Sequence, residues 1–269
     1  MKLNILIEFK KAVYPYIKYF LPDASAILSR RIFREYLRAM RINRRSDLRS
    51  VVLPANYGIG MPERVVEILL ARLSISGPRL KVLDVGHANA MKCHLKMIRD
   101  LPRTDMTGID IAMPCFNFSK YYNNSLQDDV MSCALPDNSF DLIWIISTLE
   151  HIGMDNSGYS NYFMIESGAA VRVLQNMLRV VVPKGNILIT VPYGEYKDFG
   201  WQINYDYERL QALVRTVNGL ADVDQMYFAH TLSGWNRTDP DTLEHVKYYD
   251  EENKGAAAIA VLWLTKTAK

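Results

Sequence analysis

The segment QDDVMSCALPDNSFDLIWIISTLEHIG, residues 127–153, decides the fold class of this 269-residue chain. Its residues 140–147 are almost entirely apolar, and such a short run is typical of a strand buried on both faces. Pro136 and Asn138 precede the run and predict a turn, and polar residues follow it from Ser147 to His151. A strand covered on both faces indicates an α/β protein with a parallel sheet.

On either side of this segment, predicted strands alternate with predicted helices. Strands are expected at residues 79–86, 105–111, 125–130, 140–147, 186–192, 221–230 and 256–266. Helices are expected at 62–73, from the end of the first strand to about Asp100, at 169–181 and at 205–217. This order predicts a Rossmann-like, doubly wound, mostly parallel seven-stranded sheet. No helix separates the last two strands, so we expect the sheet to end in an antiparallel C-terminal strand.

Charge divides the chain into two parts. Residues 1–50 hold twelve Lys or Arg and four Asp or Glu, a net charge of +8, whereas residues 51–269 carry −5. An apolar, aromatic-rich stretch ends at Pro22, and residues 26–45 predict a basic amphipathic helix for which Asp23 and Ser25 are candidate N-caps. We therefore expect a basic helical extension, residues 1–50, and a main domain, residues 51–269. The extension either contacts an anionic membrane or acceptor, or, as we favour, caps the main domain with a solvated basic face.

The few cysteines and the hydropathy pattern indicate the compartment. Cys93, Cys115 and Cys133 are far apart and odd in number, which argues against a disulfide framework or zinc site and for a reducing environment. No uncharged stretch reaches the ~18 residues of a membrane span. Lysines and a glutamate interrupt the apolar N-terminus, and no small-residue cleavage site follows it. We expect a cytoplasmic protein, with contact to the inner face of the membrane depending on residues 1–50.

Ligand-binding residues are expected where the strands end, because doubly wound sheets bind ligands beyond the carboxyl ends of their strands. The first strand continues as VLDVGHANA, residues 82–90, and places a tight turn at Gly86. Asp110 ends the second strand, 24 residues after Gly86, where a carboxylate can accept both hydroxyls of a ribose. A helix N-cap or surface acid is the alternative interpretation of Asp110.

These segments resemble the class I S-adenosylmethionine-dependent methyltransferases over residues 55–195. VLDVGHANA resembles their first motif, an acidic residue followed by Gly-x-Gly-x-Gly, although Ala88 and Ala90 replace the two later glycines. Residues 127–153 resemble the part that holds the adenine, and LQNMLRVVVPKGNILITVPYG, residues 174–194, resembles the family's helix, turn and strand ending in Val-Pro. The resemblance implies S-adenosylmethionine as cofactor.

The resemblance also implies individual cofactor contacts. Asp129 accepts from the adenine amino group beside the Val130 backbone, with Asp128 as the competing residue, and His87 faces the cofactor rather than the acceptor. The full set of expected cofactor-binding residues is Asp84, Gly86, His87, Ala88, Asp110, Ile111, Asp129, Val130 and Ser147.

A narrower resemblance concerns the acceptor. Residues 57–70, 149–159, 198–213 and 234–266 are similar to small methyltransferases of bacterial surface-polysaccharide and sugar pathways. This implies a hydroxyl of a sugar, glycan or other small molecule. The loops after the fifth and sixth strands contain four aromatic residues that suit a sugar ring, with ordinary core packing as the alternative: Tyr193, Trp201, Tyr205 and Trp235.

A hydroxyl acceptor benefits from a base, and three side chains are candidates. His151 is the first, because it follows the fourth strand and imidazole titrates near neutrality. Glu150 and His230 are secondary, and Glu150 serves equally well to hold a backbone amide. Asp155 and Asn156 raise the question of a divalent cation, but no carboxylate cluster requires one and we expect no metal.

Three other functions stay open as alternatives. A nucleic-acid methyltransferase would account for the basic N-terminus. However, the fourth strand ends in STLEH, without the Asn/Asp-Pro-Pro-aromatic motif of enzymes that methylate an amino group of a base. Pro114-Cys115 follows the second strand, which is the wrong place for the nucleophilic cysteine of an enzyme that methylates C5 of a base. An NAD-dependent oxidoreductase would need more of the glycines that GHANAM lacks. The two missing glycines also permit a catalytically silent binding protein on the same fold.

Overall fold

The computed structural model describes residues 22–44, 46–114, 117–158, 165–250 and 255–268, with side chains from Ser25 onward. The predicted apolar segment before Pro22, Arg45 at the end of the predicted basic helix, Cys115 and Tyr159 lie outside the described residues.

An eight-stranded mixed sheet forms the centre of the fold. Its strands are β1 (Lys81–Val85), β2 (Asp105–Asp110), β3 (Asn124–Gln127), β4 (Phe140–Ile146), β5 (Val181–Pro192), β8 (Ala221–Thr231), β9 (Gly234–Thr238) and β10 (Ala258–Lys266). They lie in the order β3-β2-β1-β4-β5-β10-β8-β9. The first five are parallel, and β10 runs antiparallel to both β5 and β8. The Rossmann-like fold class predicted from the sequence is confirmed.

Two details of the sheet differ from the prediction. The eighth strand, β9, was missed because its GWNRT sequence is short and polar, yet it forms a hairpin with β8. The fifth strand, expected at residues 186–192, begins earlier, at Val181, directly after a helix. Its pairing with β4 jumps from Val181 to Asn186, so the Pro-Lys-Gly residues form a bulge with Lys184 at φ 64°. A pair of short strands, β6 (Lys197–Asp198) and β7 (Ile203–Asn204), makes a separate ribbon.

In the described part of the chain, five α-helices cover the sheet: α1 (Pro22–Ile42), α2 (Arg64–Leu73), α3 (Lys92–Arg99), α4 (Ala169–Val180) and α5 (Tyr207–Arg215). Alternate strand residues belong to different cores, because successive side chains of a strand point to opposite faces. Val82 and Trp144 pack with α1, α2 and α3, whereas Leu83 and Ile143 pack with α4 and α5. Helices therefore lie on both faces, as a doubly wound sheet requires.

The basic helix α1 packs against α2 and α3. Its apolar residues Ile32, Phe33, Tyr36 and Ala39 are buried and belong to the same core as β1 and β4. The helix thus shares the core of β1 and β4, while Arg30, Arg31, Arg34 and Arg41 are exposed. Among the described helices, none combines the length and apolarity that a membrane span requires.

Candidate active site

A cavity of about 240 Å³ opens beyond the carboxyl ends of β1, β2 and β4. The chain leaves β1 toward β2 and β3 on one side and returns to β4 on the other, so the cavity lies at the topological switch point of the sheet. Its wall combines residues that follow β1, β2, β3 and β4 with Arg64 from α2. The residues that line it include Arg64, Asp84, Gly86, His87, His94, Asp110, Ile111, Asp129, Val130, Ser147, Thr148, His151 and Asn156.

Gly86 forms the turn that opens the cavity after β1. It has φ 86° and ψ 28°, a left-handed conformation that favours glycine, and its amide donates to the carbonyl of Ile109 at 2.9 Å. A Cβ atom here would lie 2.3 Å from Oγ1 of Thr148. Both the backbone conformation and the available space therefore require glycine at position 86, whereas the two later glycine positions of the motif are occupied by Ala88 and Ala90.

Asp84 and His87, both predicted to bind cofactor, have side chains already engaged within the protein. Asp84 is buried, and its Oδ2 accepts from His94 Nε2 at 2.9 Å and from the Tyr122 hydroxyl at 2.6 Å. The His87 imidazole is enclosed, lies 2.6 Å through Nε2 from the Ser125 hydroxyl, and contacts Tyr122 edge-on. The expectation that His87 faces the cofactor stays a prediction: the residue borders the cavity, and its Nε2 is engaged by Ser125. Asp84 and His87 border the cavity as the residues that fix the turn around Gly86.

Asp110 connects the ends of the first two strands. Its Oδ2 accepts from the amide of Ala88 at 2.9 Å and its Oδ1 from the amide of Ala112 at 2.9 Å. Each carboxylate oxygen has a further lone pair, and the half-buried side chain borders the cavity. Ala88 was predicted as a cofactor contact, but it is buried and absent from the cavity wall. Its amide orients Asp110 instead.

The residues after β3 form the next part of the wall. Asp129 is half-buried, and its Oδ1 accepts from the amide of Met131 at 2.9 Å. Val130 is buried beside it. Asp128 also borders the cavity, and its Oδ1 accepts from the amide of Asp129 at 2.8 Å. The structure thus brings both competing aspartates to the cavity, together with Ile111 from the end of β2.

The end of β4 is fixed by a buried glutamate from α2. Ser147 has φ 42°, and its Oγ donates to Glu67 Oε1 at 2.6 Å. Thr190 of β5 donates to the same oxygen at 2.6 Å. The other oxygen of Glu67 pairs with Arg64 at 3.0 Å, so one carboxylate connects α2, β4 and β5 and fixes an arginine at the cavity wall.

Arg64 is the cation of this wall and was not singled out from the sequence. Its side chain is 27% exposed, and the described residues give it one ion pair although a guanidinium has five N–H donors. Burial lowers the pKa of Arg64, but the Glu67 and Glu63 carboxylates raise it on balance, so the charge is retained. His94 and Thr148 were also missed. Their partners lie 10 and 63 residues away in sequence, at Asp84 and Val85, and no local pattern reveals such contacts.

His151 is the predicted base that the structure places in the cavity wall. Its Nδ1 lies 3.0 Å from the carbonyl of Trp201, so Nδ1 carries the hydrogen and Nε2 the lone pair of the neutral ring. The ring stacks on the Trp201 indole with centroids 5.3 Å apart. Burial lowers the pKa of His151 to about 4, so the neutral form is present at physiological pH.

Glu150 lies behind His151 and does not border the cavity. Its carboxyl is buried, with Oε1 3.8 Å from His151 Nε2. Burial raises the pKa of Glu150 well above its ordinary value, which favours the neutral acid in the folded protein. Its predicted role as a base is not supported by this position.

Four of the remaining predicted residues lie away from the cavity. His230 is buried, and its Nε2 accepts from the amide of Gly60 at 3.1 Å, so it is not a base at this site. Trp235 is also fully buried, and its indole donates to the carbonyl of Met61 at 2.9 Å. Tyr193 and Tyr205 belong to the core on the face of the sheet that α4 and α5 cover. These four side chains are buried by packing within the protein and do not face the cavity.

Trp201 is the predicted substrate aromatic that adjoins the site, through its stacking on His151. Asn156 borders the cavity and donates from Nδ2 to the carbonyl of His151 at 2.9 Å. Within the described parts of the chain, no group of three or more His, Cys, Asp or Glu side chains is arranged to hold a metal ion.

Comparison with known proteins agrees with this geometry. Residues 83–189, from β1 to β5, match the profile of the methyltransferase domain family. A comparison with curated protein sequences finds no match.

Solved structures show the same fold at low sequence identity. An S-adenosylmethionine-dependent methyltransferase from Archaeoglobus fulgidus is 18% identical, with a TM-score of 0.50 over 77% of this chain and 96% of that one. The [4+2]-cyclase SpnF is 17% identical, with a TM-score of 0.50 over 77% of this chain and 81% of that one. The N-methyltransferase NodS from Bradyrhizobium japonicum, in complex with S-adenosylhomocysteine, is 14% identical, with a TM-score of 0.45 over 76% and 87%. The likeness to the two structures with a TM-score of 0.50 shows the fold, and a shared fold does not determine the activity.

Proposed function

We propose that this chain, whose residues 83–189 match the methyltransferase domain family, is a class I S-adenosylmethionine-dependent methyltransferase that methylates a hydroxyl group of a small molecule. The observation that carries the proposal is the cavity at the switch point, where a nucleoside-type site and a neutral imidazole lie in one wall. S-adenosylmethionine supplies an activated methyl group on its sulfonium. The protein's task is then to hold the cofactor, align the acceptor and accept a proton.

The nucleoside end of the cofactor fits the carboxylates after β2 and β3. Asp110 retains lone pairs for ribose hydroxyls while two backbone amides hold its orientation. Asp129 lies next along the wall, as an acceptor for an exocyclic amino group, with Val130 and Ile111 as apolar neighbours. Hydrogen-bond acceptors beside apolar surface are the chemistry that an adenosine requires.

The amino-acid end of the cofactor fits Arg64. A guanidinium recognises a carboxylate through two parallel hydrogen bonds, and Arg64 keeps donors beyond its single ion pair with Glu67. Removing Arg64 should leave Glu67 as a buried carboxylate without its cation, so Arg64→Lys is the informative variant. It retains the charge but loses the planar fork, and we expect weaker cofactor binding without loss of the fold.

His151 supports a hydroxyl acceptor. The carbonyl of Trp201 fixes the Nδ1–H tautomer, which leaves Nε2 as the nitrogen that accepts a proton from the acceptor. The lowered pKa keeps the ring unprotonated at neutral pH and also makes it a weaker base than a solvent-exposed imidazole. A sugar or glycan hydroxyl is part of the proposal through the sequence resemblance and through Trp201. The other three aromatic residues expected to serve a sugar ring lie in the core and lend no support.

The free cysteines support a cytoplasmic setting. Cys93 and Cys133 are both buried and unpaired by disulfides in the described structure, as expected for a protein of a reducing compartment.

The test begins with thermal unfolding, with and without saturating S-adenosylmethionine or S-adenosylhomocysteine, and with NAD as a control ligand. A ligand at about a hundred times its dissociation constant stabilises by ~2.7 kcal/mol, which raises Tm by roughly 5–10 °C. We expect this shift with both sulfur nucleosides and none with NAD. Transfer of labelled methyl to a panel of sugar alcohols, phenols and amines then identifies the acceptor.

Each outcome of this test has a distinct meaning. A shift with labelled-methyl transfer to hydroxyl acceptors supports the proposal. Transfer to amines alone would overturn the hydroxyl assignment, and binding without transfer to any acceptor would favour the catalytically silent alternative. The absence of any shift, checked by calorimetry, would refute cofactor binding itself.

A further inference from the structure

The outer face of α1 carries a stripe of arginines that the methyltransferase site does not use. Positions 27, 30, 31, 34, 37, 38 and 41 recur at intervals of three or four residues and therefore lie on one side of the helix. The inner side is fixed, because Ile32, Phe33, Tyr36 and Ala39 are packed in the core. The orientation of the stripe toward the outside thus follows from the packing of the helix.

The stripe is strongly basic. Arg30, Arg31, Arg34 and Arg41 are all exposed, as is Arg44 just beyond the end of α1. The one acidic side chain described on this helix, Glu35, is half-buried and pairs with Arg38 at 2.6 Å. Among the described side chains of α1, the exposed arginines therefore face solvent without acidic residues interspersed. Such an arrangement is complementary to an anionic surface.

Exposed aliphatic side chains are interleaved with the arginines. Ile27, Leu37 and Ile42 are 55%, 45% and 55% exposed. The two aromatic residues of the helix, Phe33 and Tyr36, are buried and unable to stack on bases. Cations with interleaved aliphatic groups suit the headgroup region of a lipid bilayer, whereas nucleic-acid strands are commonly bound by cations together with aromatic side chains.

We propose that the outer face of α1 docks the enzyme on an anionic lipid surface. The arginines lie at the lipid headgroups, and Ile27, Leu37 and Ile42 enter the shallow interface without spanning it. This inference is independent of the acceptor chemistry, because α1 does not contribute to the cavity wall.

The experiment is co-sedimentation of the full chain with vesicles of phosphatidylcholine alone or with about 30% phosphatidylglycerol. We expect binding to the anionic vesicles only, and weaker binding as salt rises from about 0.05 to 0.5 M. The triple variant Arg30→Gln/Arg34→Gln/Arg41→Gln should bind about a hundredfold more weakly, since each basic residue contributes ~1 kcal/mol. The matched control, Lys184→Gln/Lys197→Gln/Arg215→Gln, removes three exposed charges on other elements and should bind like the wild type.

Three results would overturn the proposal. The first is equal binding of the arginine triple variant and the wild type to anionic vesicles. In that case residues other than these arginines, including 1–21, would be responsible for the binding. The second is equal loss in the control variant, which would indicate a nonspecific effect of net charge. The third is arginine-dependent binding of a short labelled RNA with none to anionic vesicles. Both variants are first compared with the wild type by thermal unfolding, so that a folding defect is recognised.

Discussion

Ser147 Oγ donates a hydrogen bond to Glu67 Oε1 at 2.6 Å, and this contact joins the end of β4 to the buried face of α2. Ser147 has φ 42° there, so a side-chain hydrogen bond stabilises a backbone conformation that serine rarely adopts. Because Glu67 also pairs with Arg64, the same contact helps to position the cation of the cavity wall.

Substitutions of Ser147 test this relationship. Ser147→Ala loses a hydrogen bond to a charged group, and we expect a loss of about 1.5–3 kcal/mol in the free energy of unfolding. Ser147→Gly loses the same bond but accepts the positive φ, so it should be about 1 kcal/mol more stable than the alanine variant. Chemical denaturation measures both. Ser132 is exposed and has no positive φ, so there the alanine variant should be more stable than the glycine variant. If the glycine variant were the more stable at both sites, backbone strain at Ser147 would be refuted.

Asp110→Asn should reduce the affinity for S-adenosylmethionine by about a hundredfold. The change removes the charge from a group expected to accept the ribose hydroxyls, and charged hydrogen bonds contribute about 1.5–3 kcal/mol. Isothermal calorimetry measures the loss. Asp105→Asn, at the exposed opposite end of the same strand, is the control and should bind like the wild type. Unchanged affinity in Asp110→Asn would remove the ribose assignment.

Gly86→Ala should abolish measurable cofactor binding and lower Tm. The new Cβ would lie 2.3 Å from Thr148 Oγ1, and φ 86° is strained for alanine. Adding Thr148→Ala removes the steric conflict but leaves the backbone strain, so partial recovery of Tm is expected. Gly77→Ala, where no atom lies within 4 Å of the added Cβ, should leave both quantities unchanged. Normal cofactor binding by Gly86→Ala would contradict the geometry of the turn.

His151→Gln should lower kcat by about 10²–10⁴-fold, the usual contribution of a general base, with little change in cofactor affinity. Glutamine retains a donor for the Trp201 carbonyl but is not a base, so it separates positioning from proton transfer. A fully active variant would exclude His151 as the base.

The pH dependence of the wild type is a second test of His151. Its pKa of about 4 places the loss of the neutral base well below neutrality, so kcat should be flat from about pH 6 to 8 with an acid limb near pH 4. The buffer series must include cofactor at saturation. An acid limb centred at pH 6.5 that disappears in His151→Gln would indicate an imidazole that is not buried during turnover.

Glu63 should make the protein less stable as pH rises. Burial raises the pKa of Glu63 from 4.5 to about 7, with the nearby Glu67 carboxylate as the second cause. The folded state therefore holds a proton between these values that the unfolded state has released, so this contribution to stability is present below pH 4.5 and lost as pH rises through 7.

Glu63→Gln removes this dependence and keeps a carbonyl oxygen for the amide of Ala256. The stability of the variant relative to the wild type should increase from pH 5 to pH 8, by on the order of 2 kcal/mol. Because the free energy of unfolding of the variant is compared with that of the wild type at each pH, the contributions of other titrating groups, including His151, cancel. Glu208→Gln, exposed on α5, is the control and should show no trend. A constant difference between Glu63→Gln and the wild type would contradict the shifted pKa.

The sequence by itself determined the fold class, because the relevant signals are local. Continuous apolar strands such as residues 140–146 and the alternation with helices follow from backbone periodicity, which is written in neighbouring residues. The turn at Gly86 and the carboxylate of Asp110 were found for the same reason, since each lies at the end of a strand. The short strand β9 was missed because its polar sequence lacks this periodicity.

Only the tertiary structure decided which side chains reach the cavity. Arg64 enters from a helix that precedes β1, and it is positioned through Glu67, whose partners Ser147 and Thr190 lie 80 and 123 residues away. Trp235 and His230 have the chemistry of an acceptor site but are buried, because strand register and packing, rather than residue type, determine exposure. Long-range contacts depend on the whole folded chain. Residue type therefore suggested candidate residues, but it did not show which of them line the cavity.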